Sequence, residues 1–570
     1  MKHWKLRKID EERENIMLKD GIRPLIARLL AQRNIDPKDA KNFIEANYSD
    51  LSHPHTLNDV EKAAKIFCDV ALRKGNVGLM GDYDCDGVIS SVMIQQLCLR
   101  FGLNCKVFLP SRLEHGYGLT VDALEAFRER VGDNVPELLF IVDCGSNNEN
   151  EMKILRDMGI KKIIIIDHHI IDESKKSKSA DALINWRLSE TQEMCSCGEI
   201  FQFIRGIRWL TKKVDPIEFL AYAALGTIAD VSPLIGDNRI IVKHGLGKHS
   251  INSLISLGFN SLLTTSGIYS SSVTQKDIQF QIAPKINAAG RLMYPDLAYK
   301  LLVEPDLGTS EKLAESLIDC NNKRKQLQKK IEKQAVKMVE DNLDEYKHGI
   351  VVCNSKWHVG VAGIVASKLV ERFYKPVLVI GENNGVYKGS GRSYGNINLK
   401  QIMDDCKDSF SKYGGHEQAA GLTLKNECIE TVNHSFNEAC KKYYKETEIP
   451  EEVDYYDIEV KIKALSIKVA KSLYVNVYPY CGQHNPEPVF CLRGATLSKP
   501  EVAGSKIWPL LSFNASKDGM ESEMRMKYFT HDFGTEVDGR IADIYFRFPQ
   551  NIEGNKFGPP SIDVLDLVFH

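Results

Sequence analysis

Residues 76–91, NVGLMGDYDCDGVISS, decide how the rest of the chain is read. Val77 to Met80 is an apolar run of strand length, Gly81 ends it, and Asp82, Asp84 and Asp86 follow within five residues. Gly87 then opens an apolar-periodic segment from Val88 to Leu99 that predicts a helix. A strand, an acidic turn and a helix place the three acids at the carboxyl end of a strand, where open α/β sheets bind ligands. Like charges spaced so closely repel one another. A solvated turn in which aspartate caps the helix is one explanation, and a divalent cation is the other. The later strand ends decide between them.

Outward from this stretch the pattern stays strand and helix. CKVFL (105–109), LLFIVD (138–143) and KKIIIID (161–167) predict further strands, with EMKILRDMG as a helix between the last two. This alternation implies a parallel sheet with helices on both faces. The new strand ends are polar in the same way. One delivers Asp143, another Asp167, His168 and His169, and the helical stretch PIEFLAYAALGTIADVSPL (216–234) places Asp230 near its end. A single histidine after a strand is more often a capping or core residue, but four such termini exceed what capping explains.

Asp82, Asp84, Asp86, Asp143, His168, His169 and Asp230 therefore form the candidate ligand set. Carboxylates with imidazoles and no thiolate suit Mn²⁺ or Mg²⁺. The acids outnumber the needs of one ion, and two ions roughly 3.5–4 Å apart share a bridging carboxylate. Asp143, alone at its strand end, is the candidate bridge, and the chemistry is hydrolysis of a phosphoester or phosphoanhydride. Cys85 and Cys144 read as small buried residues rather than zinc ligands.

A chain of 570 residues is too long for one core and suggests roughly three or four domains. With 43% hydrophobic and 26% charged residues it has ordinary soluble composition. No apolar run is long enough to span a bilayer, and MKHWKLRKIDEERE is too charged for a secretory signal. Its 14 scattered cysteines contain no C-x-x-C pair, which suits a reducing cytoplasm. A net charge of −2 means that any positive surface for nucleic acid is local.

The remaining segments divide as follows. Residues 1–75 read as a helical region packed against the next domain, and 76–235 as the catalytic α/β domain. Residues 236–307 are a mixed segment completing that lobe, in which PKINAAGRLMYPD reads as a turn bearing Asn287 and Arg291. Residues 308–345 read as a connecting long helix: from Thr309 to about Leu343 there is neither Gly nor Pro, and Leu313, Leu317, Cys320, Leu327, Ile331, Ala335 and Met338 form a stripe. This predicts a helix of roughly 50 Å. Arg324 on the stripe favours a strut between domains over a coiled-coil dimer. Residues 346–447 form a second α/β unit, in which YKGSGRSYG and KYGGHEQAAGLTL read as Gly-rich turns carrying Ser390, Arg392, Ser393 and His416. Such turns resemble phosphate-cradling loops. Arg112, Arg291 and Arg392, each in a loop beside glycine, suggest a phosphate pocket. Residues 448–570 alternate as a small β-barrel or sandwich does.

In order, GDYDCDG, VDCG, DHH and GTIADV closely resemble the DHH phosphoesterase superfamily, and GGHEQAAG resembles its second domain, DHHA1. PSRLEHGYGL, NAAGR, WHVGVAGIVASKLVERF, SGRS and YPYCGQHNPEPVF are similar to the superfamily's single-strand-specific 5′→3′ DNA exonucleases, so that the resemblance spans essentially the whole chain. It implies an α/β fold: a parallel-sheet DHH domain and a smaller α/β DHHA1 domain joined by a long helix, with a C-terminal β-barrel of the OB-fold type. It implies two divalent cations, Mn²⁺ or Mg²⁺, held by Asp84, Asp86, Asp143, His168 and Asp230 with Asp82 beside them. His169 would hold the scissile phosphate and Asp167 would orient the histidines. Arg112, Arg291, Ser390 and Arg392 would grip a 5′-terminal phosphate, with Asn287 and His416 among the DNA-binding residues.

The implied activity releases 5′-mononucleotides from single-stranded DNA in repair and recombination. The implied setting is a cytoplasmic monomer, away from membranes, partnered by a single-strand-binding protein and a RecQ-type helicase. A phosphodiesterase for short oligonucleotides or cyclic dinucleotides is the alternative enzyme, but such relatives generally lack the barrel. A non-catalytic single-strand-binding scaffold would have lost acids that are all present here. CSCGEIFQFIRGI (195–207), NWR at 185–187 and QNIEG at 550–554 depart from the family pattern. The last of these weakens the expected DNA grip of the C-terminal domain. Its aromatics Trp508, Phe513, Tyr528, Phe529, Tyr545 and Phe546 read mostly as core.

Overall fold

Five strands form the first sheet: β1 (Val77–Gly81), β2 (Cys105–Phe108), β3 (Leu138–Val142), β4 (Lys162–Ile166) and β5 (Ala182–Ile184). They lie in the order β2-β1-β3-β4-β5, all parallel. Every residue of β1 and β3 is buried, as expected of parallel strands covered on both faces. The chain leaves β1 toward β2 on one side and returns to β3 on the other, so the order reverses between β1 and β3. That switch point is where an open α/β sheet forms its crevice. The coordinates are a computed structural model that describes residues 3–111, 113–116, 118–247, 256–268, 273–292, 295–446, 453–477, 481–505, 508–530, 533–549 and 560–570.

Helix α1 (Cys85–Arg100) follows β1, while α2 (Ser196–Leu210) and α3 (Leu220–Ala229) pack beside it in the same core. The PKINAAGR segment is not a turn but helix α4 (Ala283–Arg291). Pro284 stands in its first turn, just after the π-helical turn Ile278–Ile282 that runs into it. The continuous helix α5 (Leu307–Asp341) has 35 residues, a length of roughly 50 Å. Its two halves serve different cores. Ala314 and Leu317 belong with the parallel sheet, whereas Ile331, Ala335 and Val339 belong with the second α/β unit. Arg324 lies where one core gives way to the other. Arg324 is only 9% exposed, and its guanidinium donates to Asn321 and Gln328 of the same helix. Neighbouring amides thus accommodate the cation on the apolar stripe.

The second unit contains β6 (Ile350–Cys353), α6 (Ala362–Phe373), β7 (Val377–Asn383), β8 (Val386–Arg392), β9 (Phe410–Gly415) and β10 (Ala419–Leu424). The sheet order is β9-β10-β8-β7-β6, with only β6 and β7 parallel. Here too a reading changes, because the glycines of GSGR lie in strand β8 and not in a loop. A Cβ on Gly389 would sit 2.5 Å from the Val379 carbonyl, and one on Gly391 2.7 Å from Leu378 Cδ2. Glycine is needed for close strand packing. Gly414 and Gly415 likewise belong to β9.

At the C-terminal end, β11 (Phe490–Ser505), β12 (Trp508–Lys517), β13 (Met526–Phe529), β14 (Ile541–Arg547) and β15 (Ile562–Phe569) close on themselves in the order β11-β14-β15-β13-β12-β11. Closure removes the exposed edges of this sheet. Phe513, Tyr545 and Phe546 are buried, while Phe529 is exposed. The Trp508 side chain lies outside the described residues.

The N-terminal helices do not all pack on the domain that follows them. Met17, Ile26 and Leu30 share a core with Phe490, Phe513 and Phe546 of the barrel, and only from about Ala46 onward does the chain join the parallel-sheet core. The reason is apolar surface: six of the nine residues of the helix Pro24–Gln32 are buried. The strand His3–Leu6 pairs in parallel with Val453–Tyr456, and the Trp4 ring stacks on Tyr545 with centroids 4.4 Å apart. Arg33 donates to Asn485 at 3.1 Å and to the Pro486 carbonyl at 2.7 Å, and lies 3.6 Å from buried Asp457. Removing one partner of a buried ion pair costs about 3–5 kcal/mol. Arg33→Met should therefore split an early transition, from the barrel and N-terminal helices, off the calorimetric melting curve. A curve unchanged from the parent protein would refute this.

Candidate metal centre

The acids converge at the switch point. Asp84 is the N-cap of α1, its Oδ1 accepting from the Asp86 N–H at 3.0 Å and the Gly87 N–H at 3.2 Å. At α1 the capping explanation thus holds for one oxygen of one acid. Ligand atoms of Asp82, Asp84 and Asp143 all lie within 4.8 Å of one another, and so do those of Asp143, His168 and His169. Asp143 belongs to both groups.

Asp143 Oδ1 accepts from the Ser196 hydroxyl at 3.1 Å and lies 3.4 Å from His168 Nε2. The same Nε2 is 3.9 Å from Asp230 Oδ1, and Ser232 donates to Asp230 Oδ2 at 2.9 Å. Asp143 has φ 60° and Val231, next to Asp230, has φ 61°. Left-handed backbone is uncommon outside glycine and strained for a β-branched residue, so strain is stored on both sides of the cluster.

Burial, followed by the charges of Asp84, Asp86, Asp82 and Asp167, pushes the Asp143 carboxyl well above its ordinary range. Burial also raises Asp230 to about 7, against the opposing pull of His168. Such a site carries its acids ionised only with compensating positive charge, and oxygen donors with imidazole fit a divalent cation. The thiols of Cys85 and Cys144 are pushed well above theirs by burial, which leaves them inert.

Asp86 sits differently from a free ligand. Its Oδ2 accepts from the Ser196 N–H at 2.8 Å and its Oδ1 from the Cys197 N–H at 3.1 Å, so that it caps α2 and belongs to neither group of three. Its charge still raises Asp143 and Asp230. The close approach needs Gly226, where a Cβ would lie 2.7 Å from Asp86 Oδ1. Ser196 was missed by the sequence reading. The CSCG segment looked like a departure, yet it is the helix N-terminus that holds Asp86 and Asp143.

His169 Nδ1 lies 2.7 Å from Asp167 Oδ1, and Asp167 Oδ2 accepts from the Ser146 N–H at 2.9 Å. Burial alone would pull the His169 ring down, but the Asp167 carboxylate and its hydrogen bond, with Asp82 and Asp84 behind, raise it to about 9. Burial opposes the ionisation of Asp167, and the charges of His169 and His168 outweigh it, holding the carboxyl below the usual range. Asn185, the first residue of the unusual NWR, donates to the His169 carbonyl at 3.0 Å and to the Ser146 hydroxyl at 3.1 Å.

Asn287 Oδ1 accepts from the Cys85 N–H at 2.7 Å and pins the acidic turn. One turn on, Arg291 approaches the Gly360 carbonyl at 3.5 Å, within the tight turn Val359–Val361 that leads into α6. A Cβ on Gly363 of α6 would lie 3.1 Å from the Arg392 guanidinium and 3.5 Å from Ser390 Oγ. Arg291, Ser390 and Arg392 thus meet at the first turn of α6, where unsatisfied N–H groups and the helix dipole favour an anion. His416 is exposed between β9 and β10, with its backbone N–H bonded to Ala419. Arg112 lies outside the described residues.

Residues 76–227 match the DHH family, N-terminal domain, and residues 346–442 match the DHHA1 domain. Both α/β units of the chain are thus similar to the DHH/DHHA1 family. The chain is also similar to proteins described as the single-stranded-DNA-specific exonuclease RecJ. The Bacillus subtilis protein is 29% identical over 513 residues, covering 88% of this chain and 63% of its own length, so the chain spans less than two thirds of that relative. The Haemophilus influenzae protein is 28% identical over 489 residues, 82% of this chain and 83% of its own length. The fold matches a crystal structure of Thermus thermophilus RecJ with Mn²⁺ at a TM-score of 0.81 and 23% identity, over 99% of this chain and 79% of that one. A manganese-bound exonuclease RecJ structure matches at 0.59 and 27% identity, over 69% of this chain and 96% of that one.

The His169–Asp167 pair gives the metal-free protein a pH signature. With His169 raised from 6.5 to about 9, its stabilisation is complete below 6.5 and lost as pH rises through about 9. The share of Asp167, whose carboxyl is lowered, is present above its ordinary 3.8 and lost as pH falls below that. Asp167→Asn should return the His169 ring toward ordinary imidazole titration by NMR, and an unmoved midpoint would contradict the assignment.

Proposed function

We propose that this chain is a metal-dependent exonuclease that hydrolyses single-stranded DNA from the 5′ end, releasing 5′-mononucleotides. The observation that carries this reading is Asp143, common to two ligand groups at the sheet's switch point. Across α4, an anion-favouring turn bears Arg291, Ser390 and Arg392. Two divalent cations, Mn²⁺ or Mg²⁺, would be held by Asp82, Asp84, Asp143, His168 and Asp230, with Asp86 contributing charge from its cap. Bound there, such ions lower the pKa of water and offset charge developing on phosphoryl oxygens.

The chain's own side chains do the rest. His169 donates a hydrogen bond to the scissile phosphate. Asp167 fixes its ring through Nδ1, leaving Nε2 for substrate. Arg291, Ser390 and Arg392, joined by Arg112, hold a terminal phosphate, with Asn287 positioning the acidic turn and His416 at the DHHA1 rim. A pocket that accepts a chain end sets the direction of digestion. We assign the chain the six-part division at residues 75, 235, 307, 345 and 447, the barrel and N-terminal helices confining the strand. The physiological setting is repair and recombination in the cytoplasm, as a monomer, beside a single-strand-binding protein and a RecQ-type helicase. Among the described residues no helix is long and apolar enough to cross a membrane.

A phosphodiesterase for very short oligonucleotides is the second reading, and the closed barrel weighs against it. With Mn²⁺ present, label should leave a 5′-labelled single strand first and a duplex should resist. Release only from the 3′ end would overturn the proposal. Asp143→Ala removes several kcal/mol of metal assistance, on the order of a 10³-fold loss of rate, and single-strand binding should remain measurable. A variant cutting at the parent rate would refute the bridging role.

A further inference from the structure

Helix α4 is entered through an uncommon feature, a π-helical turn over Ile278–Ile282. Such turns are rare and often mark functional sites. Ile278 and Ile282 are buried, whereas Phe280 between them is 67% exposed, among the most exposed large apolar side chains of the described residues. A single exposed phenylalanine needs no explanation by itself. Its register does. Phe280, Pro284, Asn287 and Arg291 recur at spacings of four, three and four residues, which sets them along one face of the helical run. On that face Asn287 touches the acidic turn and Arg291 the first turn of α6. Phe280 is thus the outer end of a line that begins at the phosphate-favouring turn and passes the acids.

The charge around it agrees. Lys285, one turn on, donates to the Gln281 carbonyl at 2.8 Å, and burial and the nearby Lys325 ammonium of α5 hold it below the usual lysine range. Among the described residues neither Lys285 nor Lys325 is ion-paired with a carboxylate. Lys285 is on the helical run that carries the exposed ring, and Lys325 is on α5, which packs against α4. Single-strand sites combine these same elements, a stacking ring and cations that follow the backbone.

We propose that Phe280 is a stacking platform for a base of the single strand on the 3′ side of the scissile phosphate, with Lys285 and Lys325 receiving the backbone that follows. The inference rests on the nuclease reading above and adds the outward path of the substrate. Seven residues from Phe280 to Asn287 correspond to roughly 10 Å, so the stacked base lies one or two nucleotides beyond the bond that is cut. A base in a duplex has both faces covered by its neighbours and cannot use this platform, which gives the entrance a preference for unpaired strand.

The test uses the full chain with a chelator present to prevent cutting. The probe is a 5′-phosphorylated oligothymidylate carrying one 5-iodouracil at successive positions. Irradiation should crosslink Phe280, mapped by mass spectrometry, from only one or two adjacent positions near the 5′ end. Phe280→Ala should weaken binding roughly tenfold and Phe280→Tyr should restore it, since stacking on one base is worth about that factor or more. Crosslinks that avoid Phe280 at every position, or parent-like binding by Phe280→Ala, overturn the platform. If the parent protein prefers duplex to single strand, or removes only 3′ label when metal is supplied, the nuclease reading falls and this inference with it. Normal single-strand binding and 5′ release alongside an indifferent Phe280→Ala remove this inference alone.

Discussion

The repulsion among buried carboxylates is the constraint around which the first lobe is built. Asp82, Asp86 and Asp143 are buried and share one crevice with Asp84. Bringing them together without positive charge would be prohibitive. The fold answers with backbone. Helix α1 turns its first N–H groups to Asp84, α2 turns its own to Asp86, and the Ser196 hydroxyl reaches Asp143. Two helix N-termini therefore aim their dipoles at one acidic point. The remaining negative charge is what makes the crevice a place for cations.

The sheet and the acids were legible in sequence because their signals are local. Uniformly apolar strands followed at once by Asp or Asp-His-His can be read from neighbours alone, and the long stripe from Leu313 to Met338 declares its helix. What stayed hidden depends on contacts far along the chain. The CSCG segment gives no hint that its amides meet Asp86, 110 residues earlier. The NAAGR segment likewise gives no hint that Asn287 meets the Cys85 N–H, 202 residues away. The glycines of GSGR have the composition of a loop, and only the neighbouring strand explains them, since Gly389 lies against the Val379 carbonyl. The β11 and β15 strands likewise needed their barrel partners to become visible.

The N-terminal segment shows the same limit from another side. Its helices are plain in sequence, yet apolar periodicity says that a face is buried and never against what. Met17 and Leu30 are buried by the barrel, at the opposite end of the chain, and Phe67 by the parallel sheet. Arg33 and Asp457 seal the first of these unions where solvent is excluded. Parts distant in sequence thus depend on each other for folding, although neither carries the chemistry.

Helix α5 has a further consequence. Because its opening turns complete one hydrophobic core and its closing turns another, neither lobe owns it. A cut near Arg324 would leave each side with a helical arm of about seventeen residues, little more than the length at which an isolated helix is marginal in water. Whichever fragment kept the entire rod would expose half of it, and the other would lack a wall. The lobes are inseparable in the manner of two rooms built against one beam, and the gap between them is set by a span that cannot shorten without dismantling both.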